Sequence, residues 1–169
     1  MLELCAGAGH IGLAAAVLAD RDLVQVEADP VAAAYAQANA TRAGWAGRVD
    51  VRTRRLDEAL HTAELFPVVI ADPPYLRSAD LARWPEDPPL AIDGGADGLH
   101  VIRACLQLAS RHLDEDGRLL LQIAGSRQGE QIAALLQANA LWGLACTDQR
   151  VTDAERAVVL ISRIRQLPT

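Results

Sequence analysis

Two short runs, Val68-Val69-Ile70 and Leu119-Leu120-Leu121, are apolar at every position and leave no polar face. A strand of that kind must be covered on both sides, which a parallel sheet between two helical layers achieves. The remaining sequence has the matching rhythm. Strand-like runs at 2–5, 23–26, 48–53, 68–71 and 118–123 alternate with helical patterns that end near 18 or cover about 30–43, 56–64, 98–113 and 127–139. Within 98–113, Leu99, Ile102, Leu106, Ala109 and Leu113 recur at three- and four-residue steps, so one face of that helix is expected to lie on the sheet. After Gly143 the runs 144–146 and 157–164 follow with no long helix between them, which predicts a terminal antiparallel pair. The expected class is α/β: a doubly wound, mostly parallel, Rossmann-like sheet of seven strands.

Composition narrows the chemistry. With 169 residues, 51% of them apolar, one domain with a full core is expected. The longest apolar stretch, 11–19, is well short of the ~20 residues a bilayer requires. No basic-then-apolar leader opens the sequence, so a soluble, cytoplasmic chain without a membrane partner is expected. All 16 basic residues are arginine, which excludes chemistry through a P-loop, Schiff-base or general-base lysine. The net charge of −6 argues against gripping phosphate backbones by bulk electrostatics. Cys5, Cys105 and Cys146 form no CxxC pair, and His10, His61, His100 and His112 show no ligand spacing, so no metal site is expected.

The stretch Glu3-Leu4-Cys5-Ala6-Gly7-Ala8-Gly9-His10-Ile11-Gly12 ends the first strand and opens the first helix. Gly7 and Gly9 allow a sharp turn and a close approach of backbone to a ligand, and the helix start presents unpaired N–H groups. Glu27, 18 residues after Gly9 at the end of the second strand, is placed to accept both hydroxyl hydrogens of a ribose. Turn plus acid predicts an adenosine site. The same Gly7-x-Gly9-x-x-Gly12 spacing also satisfies the dinucleotide fingerprint of an NAD-dependent oxidoreductase, and a bare strand-to-helix turn would need no ligand.

Val69-Ile70-Ala71-Asp72-Pro73-Pro74-Tyr75 carries an acid, two prolines and an aromatic ring to the carboxyl edge of the sheet, where ligands bind in such folds. The prolines stiffen the turn and lack N–H groups. Asp72 and the Pro73 carbonyl are then a pair of acceptors suited to the two hydrogens of an NH₂ group, with Tyr75 flat against a planar amide or base. The loop that follows, about 75–96, is long for a compact domain, and such loops tend to carry function. Trp84, within it, is placed either to cap a substrate pocket or to anchor the loop.

The glycine turn, Val26-Glu27-Ala28-Asp29-Pro30, the Asp72-Pro73-Pro74-Tyr75 (DPPY) motif and Ile92-Asp93-Gly94-Gly95-Ala96-Asp97-Gly98-Leu99 together resemble the class I S-adenosyl-L-methionine-dependent methyltransferases of the release-factor glutamine N5 (HemK-type) group. The match continues through the strand at 119–123 and Gln128-Gly129-Glu130. The resemblance implies a cofactor site at Glu3, Cys5, Ala6, Gly7, Ala8, Gly9, Glu27, Ala28, Arg55, Leu56 and Asp72. It also implies a catalytic clamp at Asp72, Pro73, Pro74 and Tyr75. Among Arg55, Leu56 and Asp57 the residue meeting the adenine stays open. The family usually has Asn where Asp72 stands, and it carries an N-terminal substrate-recognition region that the 169 residues are expected to lack.

The implied activity is methyl transfer to an amide or amino nitrogen, with a protein glutamine side chain as first choice. A nucleic-acid base or a small molecule, an NAD-dependent oxidoreductase, and a non-catalytic cofactor-binding partner subunit are the other readings. Five arginines, Arg42, Arg48, Arg52, Arg54 and Arg55, fall within 14 residues and form either a basic patch or a solvated face.

Overall fold

β1 (Leu2–Leu4) is buried at all three positions because it stands at the centre of the sheet, between β2 (Leu23–Glu27) and β4 (Phe66–Ala71). The computed structural model describes residues 1–152 and 156–164. Its seven strands run in the order β3-β2-β1-β4-β5-β7-β6, with β3 at Val49–Thr53, β5 at Leu113–Ile123, β6 at Leu144–Val151 and β7 at Ala157–Arg163. The pairs from β3 to β5 are parallel, and β7 lies antiparallel to both β5 and β6. The expected doubly wound class and terminal antiparallel pair are therefore present.

Helices cover both faces. Glu3 points towards α1 (His10–Ala19), while Leu2 and Leu4 point the other way, as alternation along a strand requires. Beneath α1 and α2 (Pro30–Arg42) a small cluster joins Leu13, Ala16, Leu23, Ala40 and Val49. The larger core joins Leu2, Leu4, Val69, Leu119 and Leu121 to Ile102, Leu106 and Ala109 of α4 (His100–His112) and to Ile132 and Leu136 of α5 (Gly125–Ala138). Among the described residues no helix is long and apolar enough to cross a membrane.

Several boundaries differ from the sequence expectation: β5 begins at Leu113 rather than 118 and β4 at Phe66 rather than 68, and three further cases have a visible cause or consequence. The helix expected over 56–64 is a single 3-10 turn, Leu56–Glu58. Arg52 accounts for this: its guanidinium donates to the Ala59 carbonyl at 3.1 Å and to both oxygens of Glu64, so the chain wraps around a cation instead of coiling. β6 continues through Val151 rather than stopping at Cys146, because as an edge strand it pairs with β7 while its polar side chains face water. The loop after Tyr75 contains a 3-10 segment, Ser78–Arg83, and a one-turn helix, α3 (Pro89–Ile92).

The register places the site. Leu4 stands opposite Val26 on one side and Ala71 on the other, and Ala71 opposite Leu121. The residues leaving the carboxyl edge, Glu27, Cys5 and Asp72, consequently emerge side by side. The connections from β1 run outward through β2 to β3, and those from β4 run the other way to β5. The crevice between β1 and β4 is the topological switch point, where α/β sheets bind ligands.

Candidate active site

The turn after β1 divides its glycines between two tasks. Gly7, at φ +54°, would project a Cβ into open space, so its backbone faces the crevice. Gly9 and Gly12 are needed for the opposite reason. A Cβ on Gly9 would meet the Gln25 side chain and Ala36, and one on Gly12 would run into the Glu3 carboxylate. Beneath the turn, Glu3 Oε1 accepts the Gly12 N–H at 2.7 Å and Oε2 accepts Gln25 Nε2 at 2.7 Å, while Gln25 also donates to the Gly9 carbonyl at 2.8 Å.

This geometry corrects the assignment of Glu3 to the cofactor. Its side chain is turned into the fold and only 3% of the residue is exposed, with burial pushing the carboxyl up against the opposing pull of those hydrogen bonds. Gly9 is buried likewise and faces Gln25. Both support the turn from below. Ala6 is buried, its N–H on the Val26 carbonyl at 3.0 Å, and Ala8 is held by Asn39 Nδ2 at 2.9 Å.

Glu27 closes the turn from the neighbouring strand. Oε2 accepts the Gly7 N–H at 2.7 Å and Oε1 accepts the Asp29 N–H at 2.8 Å. Each oxygen keeps a second lone pair, so the half-buried carboxylate is oriented and still able to accept hydroxyl hydrogens. α1 starts at Gly9 without a side-chain cap. An open backbone turn, an oriented carboxylate and an uncapped helix start fit an adenosine-bearing cofactor in chemistry and in space.

Cys5 lies between the Glu27 and Asp72 carboxylates at a positive φ of 55°, a strained geometry for a residue with a side chain. Its thiol is pushed up by the hydrogen bond with Cys105, then by burial, and further by those two carboxylates. It remains a thiol that fills space. Ala28 is exposed at the rim. Past β3, Arg55 and Asp57 pair with each other at 3.4 Å with side chains 77% and 68% exposed, whereas Leu56 packs on the core. Of the three candidates, Arg55 and Asp57 extend into solvent and Leu56 supplies the apolar side chain of this turn.

Asp72 to Trp84 form one side of a cleft of about 810 Å³, completed by Asp87, Ala91, Ile92, Ala124 and Arg156. Asp72, Pro73, Pro74 and Tyr75 all line it, and Trp84 stands in its wall with 40% of its surface exposed. The Asp72 carboxyl is pushed up by burial, partly offset by His10 and Arg156. Gly7 and Glu27 lie outside the cleft lining, so the nucleotide turn and the cleft are neighbouring compartments that meet near Cys5 and Asp72.

The long loop is stitched at its inner end. Leu76 N–H donates to the Ile92 carbonyl at 3.0 Å, Gly94 N–H to the Leu76 carbonyl at 2.7 Å, and Ser78 N–H to the Gly95 carbonyl at 3.0 Å. Asp93 Oδ1 accepts both Ser78 Oγ and the Gly95 N–H. The 92–98 segment is thus a brace for the chain that follows Tyr75. Ile92 comes from the loop expected to carry function, whereas no local sequence signal announces Arg156, which arrives from a segment far from Asp72 in sequence.

The arginine run is a paired face. Arg48 bonds Asp20 and Asp22 and lies over Trp45, Arg52 bonds Asp50 and Glu64, and Arg55 pairs with Asp57. Three of the five cations are therefore offset by carboxylates.

The sheet order and its covering helices are those of the class I methyltransferase fold. Among solved structures, the chain superposes on a ribosomal protein L11 methylase from Lactobacillus delbrueckii subsp. bulgaricus (TM-score 0.65, 16% identity, 97% of this chain and 69% of that one). It also superposes on a TehB-like SAM-dependent methyltransferase from Corynebacterium glutamicum (TM-score 0.60, 17% identity, 96% and 78%). At those identities the likeness establishes the fold. Sequence goes further: the chain is 35% identical over 133 residues to the ribosomal protein uL3 glutamine methyltransferase of Bordetella pertussis, covering 75% of this chain and 44% of that protein. It is 33% identical over 165 residues to the release factor glutamine methyltransferase of Gloeobacter violaceus, covering 94% and 57%. The relatives of this chain are the HemK-type glutamine methyltransferases that its motifs resemble. No family model matches the chain, and it spans about half the length of the curated relatives it matches.

Proposed function

We propose that the chain is the catalytic part of an S-adenosyl-L-methionine-dependent N-methyltransferase whose acceptor is the side-chain amide of a protein glutamine. The observation that carries the reading is the half-buried Asp72 carboxylate at the switch point, level with Cys5 and Glu27 and without a hydrogen-bond partner among the described residues. Support for the substrate class comes from the relatives, which are named for glutamine in a ribosomal protein and in release factors.

The cofactor, when bound, supplies an electrophilic methyl group on a sulfonium. Glu27 holds the ribose hydroxyls, the Gly7 and Ala8 backbone follows the cofactor chain, and Leu56 with Ala28 borders the adenine. Asp72 and the Pro73 carbonyl accept the two hydrogens of the acceptor NH₂, leaving its electron pair directed at the methyl. Tyr75 keeps the amide plane in place. Positioning the acceptor nitrogen there would contribute ~7–11 kcal/mol. As the N–C bond forms the methyl–sulfur bond would break, S-adenosylhomocysteine would leave, Asp72 would stabilise the positive charge growing on nitrogen, and the surplus N–H proton would pass to solvent.

The test is incubation of the purified protein with tritiated S-adenosyl-L-methionine and either ribosomal protein uL3 or a release factor, followed by peptide mass spectrometry. A methyl group on glutamine is the expected product. Label entering only nucleic acid or small molecules would replace the glutamine reading. Calorimetry with S-adenosylhomocysteine and with NAD completes it: heat with NAD alone overturns the cofactor assignment.

A further inference from the structure

We infer that Gln128, a buried residue of α5, is a positioning residue that holds the acceptor clamp in place through the main chain of Tyr75. The inference rests on the reading of Asp72 to Tyr75 as the clamp and adds a residue that this reading does not use.

Gln128 is 6% exposed, and its amide meets three separate segments of the chain. Oε1 accepts the Ala124 N–H at 2.7 Å, at the carboxyl end of β5. Nε2 donates to the Tyr75 carbonyl at 3.0 Å and to the Gly98 carbonyl at 3.2 Å. Ala124 and Tyr75 both line the cleft, so one side chain behind the wall sets two parts of it. The amide orientation follows from its partners, because two carbonyls require the NH₂ side and one N–H requires the oxygen side.

Gly98 reports how tight this junction is. It has φ +74°, and a Cβ there would lie 2.6 Å from the Tyr75 carbonyl oxygen and 3.0 Å from Gln128 Nε2. The Asp93 to Leu99 segment therefore approaches the clamp as bare backbone, and the Gln128 amide fills the gap between the two carbonyls. A carboxylate at 128 would keep the bond to Ala124 and set negative charge against both carbonyls. An apolar side chain of the same size would remove all three of these hydrogen bonds at once, from the Tyr75 and Gly98 carbonyls and from the Ala124 N–H.

Gln128→Met and Gln128→Glu separate positioning from bulk packing, and Gly98→Ala disturbs the same junction from its other side. Gln128→Met is expected to lower kcat for methyl transfer to whichever of uL3 or the release factor is the substrate by about tenfold or more. Gln128→Glu should lower it further, with the S-adenosylhomocysteine Kd within about twofold of native in both, since neither touches the nucleotide turn. Hydrogen exchange should quicken in peptides over 75–78 and 94–100 and stay native over β1, α1 and β2, and Gly98→Ala should give the same map.

Unchanged exchange in those two peptides overturns the inference, as does faster exchange there with native kcat. Loosening spread through the whole chain would make Gln128 an ordinary core residue and overturn it as well. If the native protein transfers no methyl to either substrate, the reading of the site falls. The exchange map alone then decides whether Gln128 fixes the Tyr75 segment.

Discussion

Glu27 Oε2 accepts the Gly7 N–H at 2.7 Å, tying the end of β2 to the one glycine of the turn that faces open space. Because the Asp29 N–H holds the other oxygen, the carboxylate is oriented before any ligand arrives. Glu27→Ala should therefore weaken S-adenosylhomocysteine binding by about 10- to 100-fold, the range for hydrogen bonds to a charged acceptor. Calorimetric titration measures it, and native affinity in the variant would refute the ribose assignment.

Gly7→Ala and Gly12→Ala should fail in different ways. At Gly12 the added methyl collides with a buried carboxylate, so a stability loss of about 1–3 kcal/mol is expected from overpacking. At Gly7 the methyl meets nothing in the protein, and the cost to the fold is about 1–2 kcal/mol of left-handed strain. Its main effect falls on cofactor affinity, because the methyl projects into the crevice. Thermal unfolding with and without S-adenosylhomocysteine distinguishes them: the ligand should raise Tm normally in Gly12→Ala and weakly in Gly7→Ala.

Asp72→Ala should slow methyl transfer roughly ten- to several-hundredfold while leaving cofactor affinity near native, since the lost bonds go to the acceptor. Burial raises the Asp72 pKa, so the folded chain takes up this proton at a higher pH than the unfolded chain does. Ionised Asp72 consequently destabilises the fold at neutral pH, and the penalty is relieved as pH falls through the raised value. Asp72→Asn should raise Tm at pH 7, with the gain shrinking towards acid pH. It should also remove the acid limb of the pH–rate profile that Asp72 protonation imposes.

Glu64→Gln tests the wrapped segment. Arg52, bonding both its oxygens, holds the Glu64 carboxyl down at about 2. A depressed carboxyl stabilises the fold above its unfolded value of 4.5, and that stability is lost as pH falls towards 2. The variant should lose about 1–2 kcal/mol at pH 7 and converge on native stability in acid, as measured by urea unfolding across that range.

How far the sequence could be read depended on whether a residue's role was local. Val69, Leu119 and Leu121 are legible as core because they share one wholly buried face of the sheet, whereas Leu120, on the other face, is 39% exposed, so the cover expected on both sides of that run is incomplete. Asp72 and Tyr75 are legible because two prolines at a strand end leave the chain little choice. Gly9 and Gly12 look like ligand-facing glycines, but their reason lies in Gln25 and Glu3, which reach them through space from β2 and β1. The helix expected over 56–64 is lost to a cation seven residues before Ala59, beyond what apolar periodicity can register. Arg55 and Leu56 separate only once one is seen in solvent and the other on the core. Gln128 is visible as part of a motif, and its three partners, drawn from positions 75, 98 and 124, give it a role.

The stitching of 92–98 onto the chain after Tyr75 has an evolutionary corollary. Hydrogen bonds anchor the two ends of the arc at Leu76–Ser78 and Ile92–Gly95, next to the reacting edge, while the span between them forms the outer rim around Trp84. Residues out there can be exchanged, lengthened or recharged to suit a new acceptor without shifting Asp72, so a single chemical floor can serve a succession of differently shaped doorways.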